Sequence, residues 1–168
     1  LDLGAGTGKL TKEILEMGFE NLIAVEPNIH MKEEGLRYTK EYKVKWFSGS
    51  AEDTGIDSNI ADWVLMGSSF HWTDPNKSLP EIARILKPEG YFTAIWNPRN
   101  IDNSELHSKI EEIIYNYVPN LKRVSSGSSK NLGDIEDTLL STGNFGEVIF
   151  IEASHNVVMT KDRYMGAW

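Results

Sequence analysis

Cysteine is absent from the 168 residues, which excludes disulfides, thiolate zinc sites and cysteine nucleophiles and is consistent with a cytoplasmic protein. Positive charge is scarce. Seventeen basic against 25 acidic residues give a formal charge of −8, which disfavours a polyanionic partner and with it nucleic acid as substrate. No apolar run approaches the roughly 18 residues of a membrane-spanning helix, and no signal-peptide pattern is visible, so soluble and cytoplasmic is the expectation. The histidines at 30, 71, 107 and 155 lack metal-ligand spacing, and neither a Gly-x-Ser-x-Gly elbow nor a His-Glu-x-x-His helix occurs. What remains is 40% hydrophobic and 25% charged, a length and composition suited to one globular domain over residues 1–168, without internal repeats.

Glycine is well represented, and its placement at the start of the chain is informative. Leu1-Asp2-Leu3-Gly4-Ala5-Gly6-Thr7-Gly8-Lys9-Leu10-Thr11 reads as the end of a buried strand, a glycine turn and the opening of a helix. A dinucleotide fingerprint needs a third glycine at position 9, which is Lys9. A phosphate-binding P-loop fails at Leu3 and again at Leu10. The helix ends near Gly18, and Asn21 to Glu26 reads as an apolar strand finishing in a carboxylate. An acid roughly 20 residues beyond such a turn, at the tip of the next parallel strand, is placed to accept hydrogen bonds from a ribose diol. A tight connection alone explains the glycines and a solvated carboxylate alone explains Glu26. Only a shared ligand explains both.

Further along, strand and helix patterns alternate, as in a parallel sheet with helices on both faces. Asn28 can cap a helix to about Glu41 with a weak stripe of Ile29, Met31 and Leu36. Val44 to Phe47 is a short strand, followed by a polar loop from Ser48 to Gly55. Asp62 to Met66 is the fourth strand, with Gly67-Ser68-Ser69-Phe70-His71-Trp72 leaving it on the side of the glycine turn. Asp74-Pro75 opens a helix to Leu86, with a break expected at Pro80. Lys87-Pro88-Glu89-Gly90 is a turn before a fifth strand, Tyr91 to Trp96. Asn103 or Ser104 can cap a helix to about Tyr117, Ser125 to Ser129 is a linker, Asp134 to Leu140 is helical and stops near Gly143, and Val148 to about Met159 reads as a long strand.

The Asp-x-Gly-x-Gly-x-Gly spacing resembles the first motif of the class I S-adenosylmethionine-dependent methyltransferases, and the likeness extends well to about Trp96. It implies a Rossmann-like α/β sheet, parallel except for an antiparallel C-terminal strand pair, with S-adenosylmethionine as cofactor. Asp2, Gly4, Gly6 and Gly8 then cradle the methionine portion, Glu26 holds the ribose, and Ala51 with Glu52 borders the adenine; Ala5, Pro27 and Ser68 are also counted among the cofactor-binding positions. Phe70-His71-Trp72 is similar to a subset of small-molecule methyltransferases, including some that esterify carboxylates, which makes His71 and Trp72 the substrate-side candidates. An imidazole can take a proton or orient a carboxylate, so His71 is also the catalytic candidate; either side chain can equally be packing. Because the cofactor already carries the activation, such a site needs few conventional catalytic groups.

A strand opening at its last residues without an initiator methionine makes the chain read as truncated at both ends. The family resemblance implies an upstream helical lid and a final strand after Trp168. The expected activity is methyl transfer to a small organic molecule bearing a carboxylate or hydroxyl. The alternative is a non-catalytic module that binds the same cofactor while partnering another protein. The acceptor itself and the oligomeric state are not legible in these residues.

Overall fold

Alternation along a strand sends successive side chains to opposite faces, so a sheet covered on both sides needs apolar residues at odd and even positions alike. The computed structural model, which describes residues 1–98, 104–121 and 132–166, has this arrangement. Five strands, β1 (Asp2–Leu3), β2 (Leu22–Val25), β3 (Val44–Phe47), β4 (Ala61–Gly67) and β5 (Leu86–Ile95), lie in the order β3-β2-β1-β4-β5, every neighbouring pair parallel. On one face Leu3, Val25, Val64 and Met66 meet Leu79, Ile82 and Ile85 of helix α3 (Pro75–Ile85). On the other, Leu22 and Leu65 meet Ile14 of helix α1 (Lys9–Glu16). The three fully buried apolar side chains of α3 each contribute about 1.5–3 kcal/mol by leaving water.

Four more helices complete the described chain: α2 (Ile29–Tyr38), α4 (Glu105–Tyr117), α5 (Leu132–Leu140) and α6 (Lys161–Met165). Asn28 caps α2 as expected, its Oδ1 accepting from His30 N–H and Met31 N–H, and Asp74 caps α3 through Asn76 N–H. Ser104 caps α4 by accepting from His107 N–H, while Asn103 lies outside the described residues. The serine run 125–129 lies outside them too.

Four expectations are corrected. No antiparallel pair forms among the described residues: Val148 to Met159 makes no ladder, and from Ile149 on its residues are exposed. An apolar, β-branched run suits a strand, but it says nothing of whether a neighbouring strand is there to accept the backbone bonds. Helix α3 continues through Pro80 without a break. The residue four before it is Asn76 in the exposed first turn, where losing one carbonyl partner to water costs little. The Lys87–Gly90 turn is taken up inside β5 as a bulge, with Ala61 opposite Leu86 but Trp63 opposite Tyr91, and Glu89 at φ 62. Finally, the stripe on α2 faces outward, with Ile29, Met31 and Leu36 exposed; the helix is seated by Gly35 against the Trp46 ring.

The strand order reverses between β1 and β4. In open α/β sheets the crevice at the carboxyl ends of strands flanking such a reversal is where ligands bind. The glycine turn after β1, the acid after β2 and the segment after β4 all leave the sheet there.

Candidate functional site

Gly4, Gly6 and Gly8 all have positive φ, +71, +59 and +77, the left-handed region that L side chains rarely adopt. Their surroundings differ. A Cβ on Gly4 would sit 2.8 Å from Ser69 Cβ, so this glycine lets the segment after β4 close on the turn. On Gly6 a Cβ would meet only the Met31 methyl, at 3.3 Å. The middle of the turn is therefore where the main chain remains approachable. Gly4 and Ala5 N–H both donate to Val25 O, at 2.9 and 3.0 Å, which fastens the turn to the end of β2.

Glu26 reaches back into this turn. Its Oε2 accepts from Gly6 N–H at 2.8 Å and its Oε1 from Asn28 N–H at 2.9 Å, with the residue 6% exposed. An ionised carboxylate has about four acceptor positions, so two are left after these bonds. Pro27 is exposed between them and carries the chain from β2 to the cap of α2.

Asp2 lies on the α1 face of the sheet. Thr11 Oγ1 donates to its Oδ2 at 2.6 Å, while Oδ1 is buried without a partner. Burial, only partly offset by the Thr11 hydrogen bond, pushes its carboxyl from 3.8 up to about 6. The sign follows from which form the fold prefers. A raised folded value favours the protonated acid, so this group's contribution is fully present below 3.8 and is lost as pH rises through about 6. Asp2→Asn removes the ionisation. The stability of the variant relative to wild type should therefore rise by about 2 kcal/mol between pH 4 and pH 7, measured by denaturant unfolding. A difference independent of pH across that window would rule out a protonated Asp2.

The loop after β3 is tied to α3 rather than left free. Ala51 is buried, and Ser50 Oγ accepts from the N–H of Glu52 and of Asp53. Glu52 Oε1 accepts from Asp74 N–H at 2.9 Å. Burial raises this carboxyl's pKa, but the hydrogen bonds from Asp74 and Ser50 outweigh it and leave it below its ordinary value. Thr54 gives both its N–H and its hydroxyl to Glu81 Oε1, at 2.9 and 2.6 Å, and Arg84 pairs with Glu81 while donating to Ile56 O. The Arg84 hydrogen bond above all holds the Glu81 carboxyl down at about 2. Neither residue stood out as a site residue in the sequence; the i, i+3 spacing of opposite charges on one helix was the available signal.

The segment after β4 lies against the glycine turn. Ser69 Oγ donates to Leu3 O at 3.1 Å, Ser68 is at φ 53 with its N–H on Ile95 O, and Phe70 is buried in the core. The 3₁₀ turn Phe70–Trp72 then presents His71 and Trp72, ring centroids 4.9 Å apart, with Trp72 70% exposed. His71 Nδ1 accepts from Trp96 Nε1 at 3.2 Å, and burial lowers the imidazole pKa. Trp96, just beyond β5, was not singled out in the sequence; nothing local in the chain links it to His71.

Among the described residues no helix is long and apolar enough to cross a membrane, and no three His, Asp or Glu side chains are grouped to hold a metal. A family model described as a methyltransferase domain matches residues 1–94. An uncharacterized methyltransferase of Mycobacterium tuberculosis is 42% identical over 100 residues, covering 60% of this chain and 40% of that protein. A probable S-adenosylmethionine-dependent methyltransferase of Saccharomyces cerevisiae is 26% identical over 167 residues, covering 84% of this chain and 56% of that one. The chain thus spans about half the length of these curated relatives or less. Among solved structures, a putative S-adenosylmethionine-dependent methyltransferase of Methanococcus maripaludis superposes with a TM-score of 0.64 at 24% identity, covering 84% of this chain and 67% of that one, a likeness of fold.

Proposed function

The chain belongs to the methyltransferase-domain family, whose members depend on S-adenosylmethionine, and we propose that it transfers a methyl group from that donor to a small organic molecule bearing a carboxylate or a hydroxyl. The observation that carries this reading is the Glu26 carboxylate, held by Gly6 and Asn28 N–H at the mouth of the crevice with two acceptor positions to spare. A ribose diol supplies two donors at the spacing of such a carboxylate. When bound, the donor brings a methyl group already activated on a sulfonium sulfur.

The chain's own residues then have positioning to do. Gly4, Ala5, Gly6 and Gly8 shape the surface for the methionine portion, and Asp2 fixes the start of α1 beneath it through Thr11. Glu26 takes the ribose, and Pro27 carries the chain from it to the cap of α2. Ala51 and Glu52 form the adenine side, with Glu52 acting through its bond to Asp74 N–H. Ser68 borders the methyl group, and His71 with Trp72 forms the acceptor side. The exposed Trp72 ring offers a π face worth about 0.5–2 kcal/mol to a cation. The net charge of −8 supports a small-molecule acceptor over a polyanion.

Calorimetric titration of the full-length protein with S-adenosylhomocysteine should give one-site binding, and nicotinamide dinucleotides should give none. The reverse pattern would overturn the reading. Binding without methyl transfer to any component of a metabolite extract would instead favour a non-catalytic module.

A further inference from the structure

An indole N–H is a donor only, and a neutral imidazole has one N–H and one acceptor nitrogen. Trp96 donates to Nδ1 of His71, so the proton of the neutral ring is on Nε2. In that state Nε2 can donate a hydrogen bond but has no lone pair with which to take a proton. Burial, by keeping the imidazole pKa below its ordinary value, keeps the ring neutral and preserves the Trp96 contact. Burial is the cause of that shift, and no charged neighbour contributes to it.

We propose that Trp96 is a positioning residue that fixes His71 as an Nε2–H donor, and that the methyl acceptor accordingly arrives already ionised, as a carboxylate rather than a hydroxyl. This rests on the methyl-transfer reading of the site and narrows it. A carboxylate oxygen accepts the Nε2–H bond with one lone pair and forms the new C–O bond with another. The C–S bond of the donor breaks with its electron pair passing to sulfur. The anionic oxygen and the cationic sulfonium both become neutral, and no proton is transferred. A hydroxyl acceptor would have to lose a proton, which the ring in this tautomer does not accept.

The test has two readouts on the full-length protein. Nitrogen-15 chemical shifts of the His71 ring at neutral pH should report the Nε2–H tautomer, and Trp96→Phe should shift the ring toward a mixture. An Nδ1–H or imidazolium ring in the wild type would overturn the proposal whatever the activity. Incubation with isotopically labelled methyl donor and a metabolite extract should give a product whose label mild alkali releases as methanol, as from a methyl ester. Alkali-stable label would overturn this inference and leave methyl transfer standing, whereas no labelled product and no heat with S-adenosylhomocysteine would remove both. No labelled product despite that heat also overturns it. His71→Ala should lower kcat/KM by about tenfold to a hundredfold, chiefly through KM, and His71→Gln, whose amide N–H can stand in for Nε2–H, should recover most of that loss. A Gln variant as inactive as the Ala variant would restore the base role.

Discussion

Glu26→Gln should weaken S-adenosylhomocysteine binding by about a hundredfold, as read by calorimetry. The substitution is nearly isosteric, so volume is not what changes. Both carboxylate oxygens accept from backbone N–H groups, Gly6 on one side and Asn28 on the other. An amide presents one oxygen and one NH2, and whichever way it is turned, one of those N–H groups then faces a donor. Charge-assisted bonds of this kind contribute about 1.5–3 kcal/mol each, and an orphaned buried donor costs about 1–3 kcal/mol. The turn is thus spread at Gly6 or the α2 cap loosened at Asn28, and the acceptor positions proposed for the ribose are halved. Binding within threefold of wild type would exclude Glu26 as a ligand and leave it only a brace.

Gly35→Ala should destabilise the protein by about 2 kcal/mol, although the residue is inside α2, where Ala is intrinsically favoured over Gly by about 1 kcal/mol. Packing decides the sign. A Cβ at Gly35 would lie 2.2 Å from Trp46 Cη2 and 2.7 Å from Cζ2, a rigid ring rather than a flexible tip. The half-buried ring is anchored rather than loose. Its Nε1 donates to Thr39 Oγ1, which itself donates to Gly35 O, and on another side it stands 3.2 Å from where a Cβ of Gly8 would be. Overpacking of this kind costs about 1–3 kcal/mol, occasionally more. For a chain of this size the melting temperature should fall by about 4–8 °C. An unchanged or raised melting temperature would mean that α2 shifts away from Trp46 without penalty.

The parts of the fold that were legible in the sequence are those whose cause is local. Three glycines at alternate positions specify a turn, Asn28 and Asp74 specify helix starts, and the apolar runs ending at Val25 and Met66 specify buried strands; all are observed. That the turn and the acid come to the same end of the sheet was legible as well, because a turn and an acid about 20 residues apart fall on adjacent parallel strands by topology alone; the direct bond from Gly6 N–H to Glu26 was not. What stayed hidden depends on partners distant in the chain. Ile29, Met31 and Leu36 have the composition of a buried stripe, yet a glycine opposite a tryptophan seats the helix and leaves them outside. Val148 to Met159 opens on the apolar run of a strand and pairs with nothing described. Glu52 is loop-like in sequence, and only its bond to Asp74 N–H shows where the carboxylate goes. The His71–Trp96 hydrogen bond crosses from the end of β4 to the end of β5, and neither residue predicts the other.

The Glu52 carboxylate has one more implication, for anyone re-engineering this protein. It fastens the loop after β3 to the residue before α3, and only Thr73 separates that residue from the turn bearing His71 and Trp72. Glu81 and Arg84 rivet the far side of the same loop to the same helix. The sides proposed for donor and for acceptor are therefore fastened to the same helix. Grafting a foreign acceptor segment between β4 and α3 should bring epistasis with the donor side, and libraries that vary 68–74 without 50–54 should be poorer than their size suggests.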